Sequence, residues 1–187
     1  MKKILALLMV LLLLGGCASK DTIKTNENAL KNLSVDGNYT VYFQNYLQQY
    51  DGKGNLIKNN EKTDSTFTYP AVFTDDMDPQ SMEFTTDKNE LFKEMIQEFL
   101  DSKDNLKQVE ELSFDENNFA IFFENLDNDA MIYFYNDGKV KEVTKDGQRS
   151  YYKVDDETIF KDIADDFADN YYELEVNYIY NSDASKN

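Results

Sequence analysis

The chain has 187 residues, with 36 acidic and 19 basic side chains, a formal charge of −17 and a sequence pI near 4.3. A surface this negative repels nucleic acid and anionic headgroups, which are bound through clustered Lys and Arg, and attracts divalent cations and basic proteins or peptides. There is no histidine and one cysteine, so the chain can build neither a His-based catalytic constellation, nor a histidine metal site, nor a disulfide.

The N-terminus carries Lys2 and Lys3, an apolar run from Ile4 to Leu14, two small residues, Cys17, and then polar Ser19-Lys20-Asp21. That is the layout of a secretory signal peptide, and the run is short of the roughly 20 apolar residues a spanning helix needs. Leu14-Gly15-Gly16-Cys17 resembles the lipobox of bacterial lipoproteins. The resemblance implies cleavage after Gly16, a diacylglycerol thioether on Cys17, and display on the extracytoplasmic face of the cell membrane. Two acyl chains hold a protein stably where one is marginal. Loss of residues 1–16 would remove Lys2 and Lys3 but no acid, taking the charge from −17 to −19.

Residues 17–38 read as the lipidated cysteine and a flexible tether, with a short helix around Glu27–Leu33. Residues 39–181 read as one α+β domain: 41% of the chain is hydrophobic and 14% aromatic, too much for an acidic disordered tail. Tyr39, Val41 and Phe43 alternate with Tyr42, Gln44 and Tyr46, which predicts a strand. After a turn at Asp51–Asn55 the chain returns through Leu56–Lys62 and Ser65–Phe73. Asp75–Pro79 is a loop and Met82–Thr85 a short strand. A first helix starts at Asp87, with Glu90 three residues on, and ends near Ser102, its apolar face including Phe92, Met95, Ile96 and Phe99. Strands follow at Val109–Phe114, Phe119–Phe123, Ala130–Tyr135, Val140–Thr144 and Ser150–Val154, with hairpins at Asp137-Gly138 and Asp146-Gly147. A second helix from about Asp155 presents Phe160, Ala164, Phe167 and Tyr171. A final strand over Leu174–Tyr180 and a frayed tail at 182–187 complete the expectation. This is an antiparallel sheet or meander with two amphipathic helices.

At an offset of 68 residues, Leu91-Phe92-Lys93-Glu94-Met95 matches Ile159-Phe160-Lys161-Asp162-Ile163, and Phe99 and Asp101 match Phe167 and Asp169. Two similar strand-helix-strand halves are one reading; two amphipathic helices of like composition are the other.

Chemistry is legible in three places. Asp162, Asp165, Asp166 and Asp169 share one helical face, echoed by Glu94, Gln97, Glu98 and Asp101. They are either a solvated face or a surface for a cation or a basic partner, since like charges at these spacings destabilise a helix by a few tenths of a kcal/mol per pair. Calcium is the cation to test. The oxygen-rich segments Asp75, Asp76, Asp78 and Asn125, Asp127, Asn128, Asp129 lack the EF-hand pattern and read as turns. Tyr42, Tyr46 and Tyr50 either pack in the domain or form a stripe for stacking a sugar or peptide. No cofactor motif occurs. The function expected is a non-enzymatic, lipid-anchored binding or interaction domain. The alternatives are an immunity or inhibitor lipoprotein capturing a cationic peptide or basic protein, and an envelope hydrolase working through two carboxylates.

Overall fold

Alternation of apolar and polar residues sorts the strands into a buried and an open face, and the sheet follows from it. The computed structural model describes residues 29–46, 49–50, 56–57 and 62–186. The strands are β1 (Tyr39–Tyr46), β2 (Gln49–Tyr50), β3 (Leu56–Ile57), β4 (Lys62–Tyr69), β5 (Lys107–Val109), β6 (Phe119–Asn125), β7 (Ala130–Tyr135), β8 (Lys139–Val143) and β9 (Arg149–Lys153). Seven of them form one antiparallel sheet in the order β4-β1-β6-β7-β8-β9-β5, and β2 pairs with β3. The α+β class is therefore as expected. Gly138 and Gly147 take the positive φ, 74° and 80°, that the two tight hairpins require.

Two helices cover one face of this sheet. The first, α1 (Pro79–Asp101), continues into a 3₁₀ turn at Ser102–Asn105, and the second, α2 (Ile159–Ala184), is the last element. Ring contacts trace their paths across the strands. On α1, Phe92 meets Phe67 of β4 at 3.5 Å and Phe99 meets Phe134 of β7 at 3.9 Å. On α2, Phe160 lies 5.1 Å from Phe134 and Tyr171 lies 5.8 Å from Phe67, so the helices run antiparallel to each other. Fully burying each such aromatic stabilises the fold by roughly 2–3 kcal/mol. Buried positions begin at Thr85 in α1 and stop at Tyr171 in α2. The outer ends lie beyond the core and pack on each other, with Phe84 stacked on Tyr178 at 4.4 Å and Lys88 paired with Glu175 at 3.6 Å.

Residues 1–28, including Gly16 and Cys17, lie outside the described residues. The tether, expected to reach residue 38, gives way to packed chain by Ala29. Ala29, Leu30 and Leu33 are buried in the core. The neighbouring backbone of Asn32 and Ser34 is held by the sheet: the Tyr39 hydroxyl accepts from Ser34 N–H at 2.7 Å and donates to Ser34 C=O at 2.8 Å, while Asn125 donates to Asn32 C=O at 2.7 Å. The helix expected over Glu27–Leu33 is turn over residues 29–32, where it is described.

Several boundaries differ from expectation. The strand at Met82–Thr85 and the helix start at Asp87 are both replaced by helix from Pro79. Asp78 is the N-cap, its carboxylate accepting from Ser81 N–H at 2.9 Å, and Pro79 sits where its missing N–H costs nothing. The strand expected at Val109–Phe114 stops at Val109, and the return strand expected to Phe73 stops at Tyr69. The final strand at Leu174–Tyr180 is helix, which runs on through Ser182 to Ala184. Among the described residues no strand follows α2, so they contain no second strand-helix-strand half. The correspondence between the helices is real in another way: the matched pairs cross, Phe92 meeting Phe167 at 4.6 Å and Phe99 meeting Phe160 at 5.8 Å, as in a local two-fold pair.

Candidate functional site

The antiparallel helix pair leaves two separate depressions on its solvent side, one toward each end and together termed the groove, and their lining follows from the periodicity of both helices. At one end, Ile159 and Ile163 form an apolar floor of a space of about 560 Å³ that Ser102 and Asn105 also line. Its rim carries Glu98 and Asp101 from α1, and Asp162 and Asp166 from α2. At the other end of the same pair, Phe84, Leu174 and Tyr178 lie between Glu83 and Asp87 on α1 and the amides of Asn177 and Asn181 on α2. Every charged residue lining either stretch is an acid. Lys88 also lies between the helices, but its ammonium is turned onto the rings of Phe84 and Tyr171, 4.5 Å from each, and onto Glu175. Burial outweighs Glu175 there and lowers the Lys88 pKa.

The acidic stripe expected from sequence divides. Asp162 and Asp166 face the groove, whereas Asp165 is bound by Lys161 one turn earlier and Asp169 is exposed outside it. What the stripe alone does not reveal is the set of carboxylates supplied across the groove. Glu98 and Asp101 belong to the acidic echo on the first helix, and the packing brings them opposite Asp162 and Asp166. The Glu98 carboxyl is pushed above the ordinary range, first by partial burial and then by Asp166, Glu94 and Asp101. Among the described residues no ion pair reaches Glu83, Asp87, Glu98, Asp101, Asp162 or Asp166. Several lysines are engaged elsewhere, as in Lys107–Asp155, Lys141–Glu116 and Lys153–Glu157.

Three carboxylates of the oxygen-rich segments, Asp78, Asp127 and Asp129, have protein partners. Asp78 caps α1, Asp127 accepts from the Asn38 backbone and side chain at 3.0 and 2.8 Å, and Asp129 pairs with Lys145. Asn125 turns inward to Asn32. Among the described residues no three His, Cys, Asp or Glu side chains converge closely enough to hold a metal ion.

On the open face of the sheet, Tyr42 belongs to an aromatic row that crosses strands instead of following one. Tyr42 stacks on Phe122 at 5.0 Å and 14°, and Phe122 on Tyr133 at 4.3 Å and 4°. Lys141 continues the row, its ammonium 4.2 Å from the Tyr133 ring and paired with Glu116 at 2.7 Å. Rings stacked at the spacing of neighbouring strands stand on edge, and both faces of Phe122 are taken by its neighbours. Tyr46 pairs with Lys62 and Tyr50 with Leu56 along the backbone; their side chains lie outside the described residues.

No protein-family model, curated protein or solved structure matches the chain. No helix among the described residues is long and apolar enough to cross a membrane.

Proposed function

We propose that this protein is a lipid-anchored extracytoplasmic binding module that captures a basic peptide or protein on its helical face, in the manner of an inhibitor or immunity lipoprotein. The observation that carries the reading is the groove between α1 and α2, in which carboxylates from both helices line an apolar floor and none is in an ion pair with a described residue. The anchor rests on the Leu14-Gly15-Gly16-Cys17 lipobox, and the net charge of −17 draws basic partners toward the domain.

Two measurements test it. Cys17→Ala should abolish incorporation of a labelled fatty acid and free the protein from the membrane fraction; unchanged retention would reject the lipid anchor. An oligolysine peptide should bind the full chain in a salt-sensitive way, and Glu98→Gln with Asp101→Asn, Asp162→Asn and Asp166→Asn should weaken it by about fivefold or more. Equal binding by that variant would remove the helical face from the reading. A carboxylate-dependent hydrolase is the second reading, favoured by the raised pKa of Glu98 beside Asp166. It requires Glu98→Gln to abolish turnover of a cell-wall glycan.

A further inference from the structure

We infer that the groove between α1 and α2 seats a basic amphipathic helix of the partner, laid along the pair as a third helix. The inference rests on the capture reading above and narrows it to one kind of ligand.

The shape of the lining selects a helix. The two depressions fall on one face of α2, since Ile163 and Leu174 are roughly 11 residues apart, close to three whole turns and about 16 Å along the axis, so one straight ligand laid along the pair would reach both. The floor of the groove is apolar at both ends, Ile159 and Ile163 at one and Leu174 and Tyr178 at the other. An extended peptide gains affinity mainly from backbone hydrogen bonds to a sheet edge, and two helices offer none, because their N–H and C=O groups are bonded internally. A helix with apolar side chains at i, i+3, i+4 and i+7 needs no backbone partner and lays its apolar stripe on such a floor.

The charge of the rim selects the sign. Acids stand on both banks near Ile163, Glu98 and Asp101 on one and Asp162 and Asp166 on the other. Glu83 and Asp87 extend the α1 bank. Lys or Arg flanking the apolar stripe on each side would reach both rows of carboxylates and relieve the repulsion between them. A second copy of this chain would bring the same acids against themselves, and an anionic lipid surface would be repelled.

The test uses the full chain in a nonionic detergent and three labelled probes of about 18 residues. One is a Leu/Lys peptide in amphipathic helical order, one has the same composition scrambled, and one is oligolysine. The helical order should bind about tenfold tighter than either other probe and gain helicity on binding. Glu98→Gln with Asp101→Asn, Asp162→Asn and Asp166→Asn should weaken the helical probe by about fivefold or more. These substitutions remove like-charge repulsion, so a melting temperature no lower than the parent's is expected and verifies folding. If all three probes bind equally and the variant weakens them all, capture of basic partners stands and the seated helix is overturned. If the variant binds the helical probe as the parent does, the groove is not the site and both readings of this face fall.

Discussion

Two neighbouring acids on α2 behave differently because of where one helical step of 100° points them. Asp165 meets Lys161 on its own helix, whereas Asp166 meets the groove and the field of Glu98 across it. The Glu98 carboxyl registers its partial burial first and this crowding second, and the pH consequence has a definite sign. A carboxyl whose folded pKa lies above its unfolded value binds more protons in the native state, so stability falls as pH rises from the unfolded value through the raised one. At neutral pH the whole penalty is present; acidification through that window relieves it. Glu98→Gln is therefore expected to raise the melting temperature at pH 7 by about 1–2 °C, the scale of a few like-charge contacts on helices. The gain should shrink on acidification below the Glu98 pKa and in high salt, which screens an exposed group. Thermal melts of the parent and variant at a series of pH values measure it, and a variant less stable at pH 7 would contradict the assigned crowding.

Helix length separates what the sequence could reveal from what required the packed structure. The portion of α2 from Phe160 to Tyr171 lies on the core, while the portion after Tyr171 depends on α1, through the Phe84–Tyr178 stack at 4.4 Å and the bond between the Ser81 and Tyr178 hydroxyls at 2.8 Å. Tyr178→Ala should cost about 1–2 kcal/mol locally and speed amide exchange over residues 172–184. Exchange over residues 160–171 should be unchanged; equal acceleration along the whole helix would show that the outer portion is not a separate unit. The same dependence explains the errors of expectation there. Leu174, Val176, Tyr178 and Tyr180 alternate with period two and are rich in β-formers, and the contacts that favour the helix here, with Phe84, Ser81 and Lys88 of α1, come from almost a hundred residues earlier. Met82–Thr85 misleads for the mirror-image reason, although Asp78-Pro79 was a readable helix start. The hairpins and inner strands were legible because their signals are local: glycine at positive φ, and alternation ending in Val41 and Phe43 or Ile132 and Phe134 under the helices. Half of the groove was legible as the α2 stripe, whereas the facing of Glu98 and Asp101 toward Asp162 and Asp166 depends on the antiparallel register of the helices, which no local pattern encodes.

For the whole molecule the excess of 36 acids over 19 bases decides how salt acts. The ion pairs among the described residues are mostly exposed, and such pairs contribute at most about 1 kcal/mol each and weaken with salt. Repulsion among the unpaired acids also weakens with salt, and the acids outnumber the available cations, so relief of repulsion outweighs loss of the pairs. Melting temperature is accordingly expected to rise by about 2–5 °C between roughly 0.02 and 0.5 M NaCl. Calcium discriminates this diffuse effect from a site. A specific site at 100 times its dissociation constant adds about 2.7 kcal/mol, a further shift of several degrees. Asp78, Asp127 and Asp129 of the turn segments are held by Ser81, Asn38 and Lys145, and among the described residues no three acids converge closely enough to hold a metal ion. At fixed ionic strength, exchanging magnesium for calcium should leave the melting temperature unchanged. A saturable rise specific to calcium would show that the acids serve a metal, and the groove would then have to be reconsidered as one bank of that site instead of a seat for a basic helix.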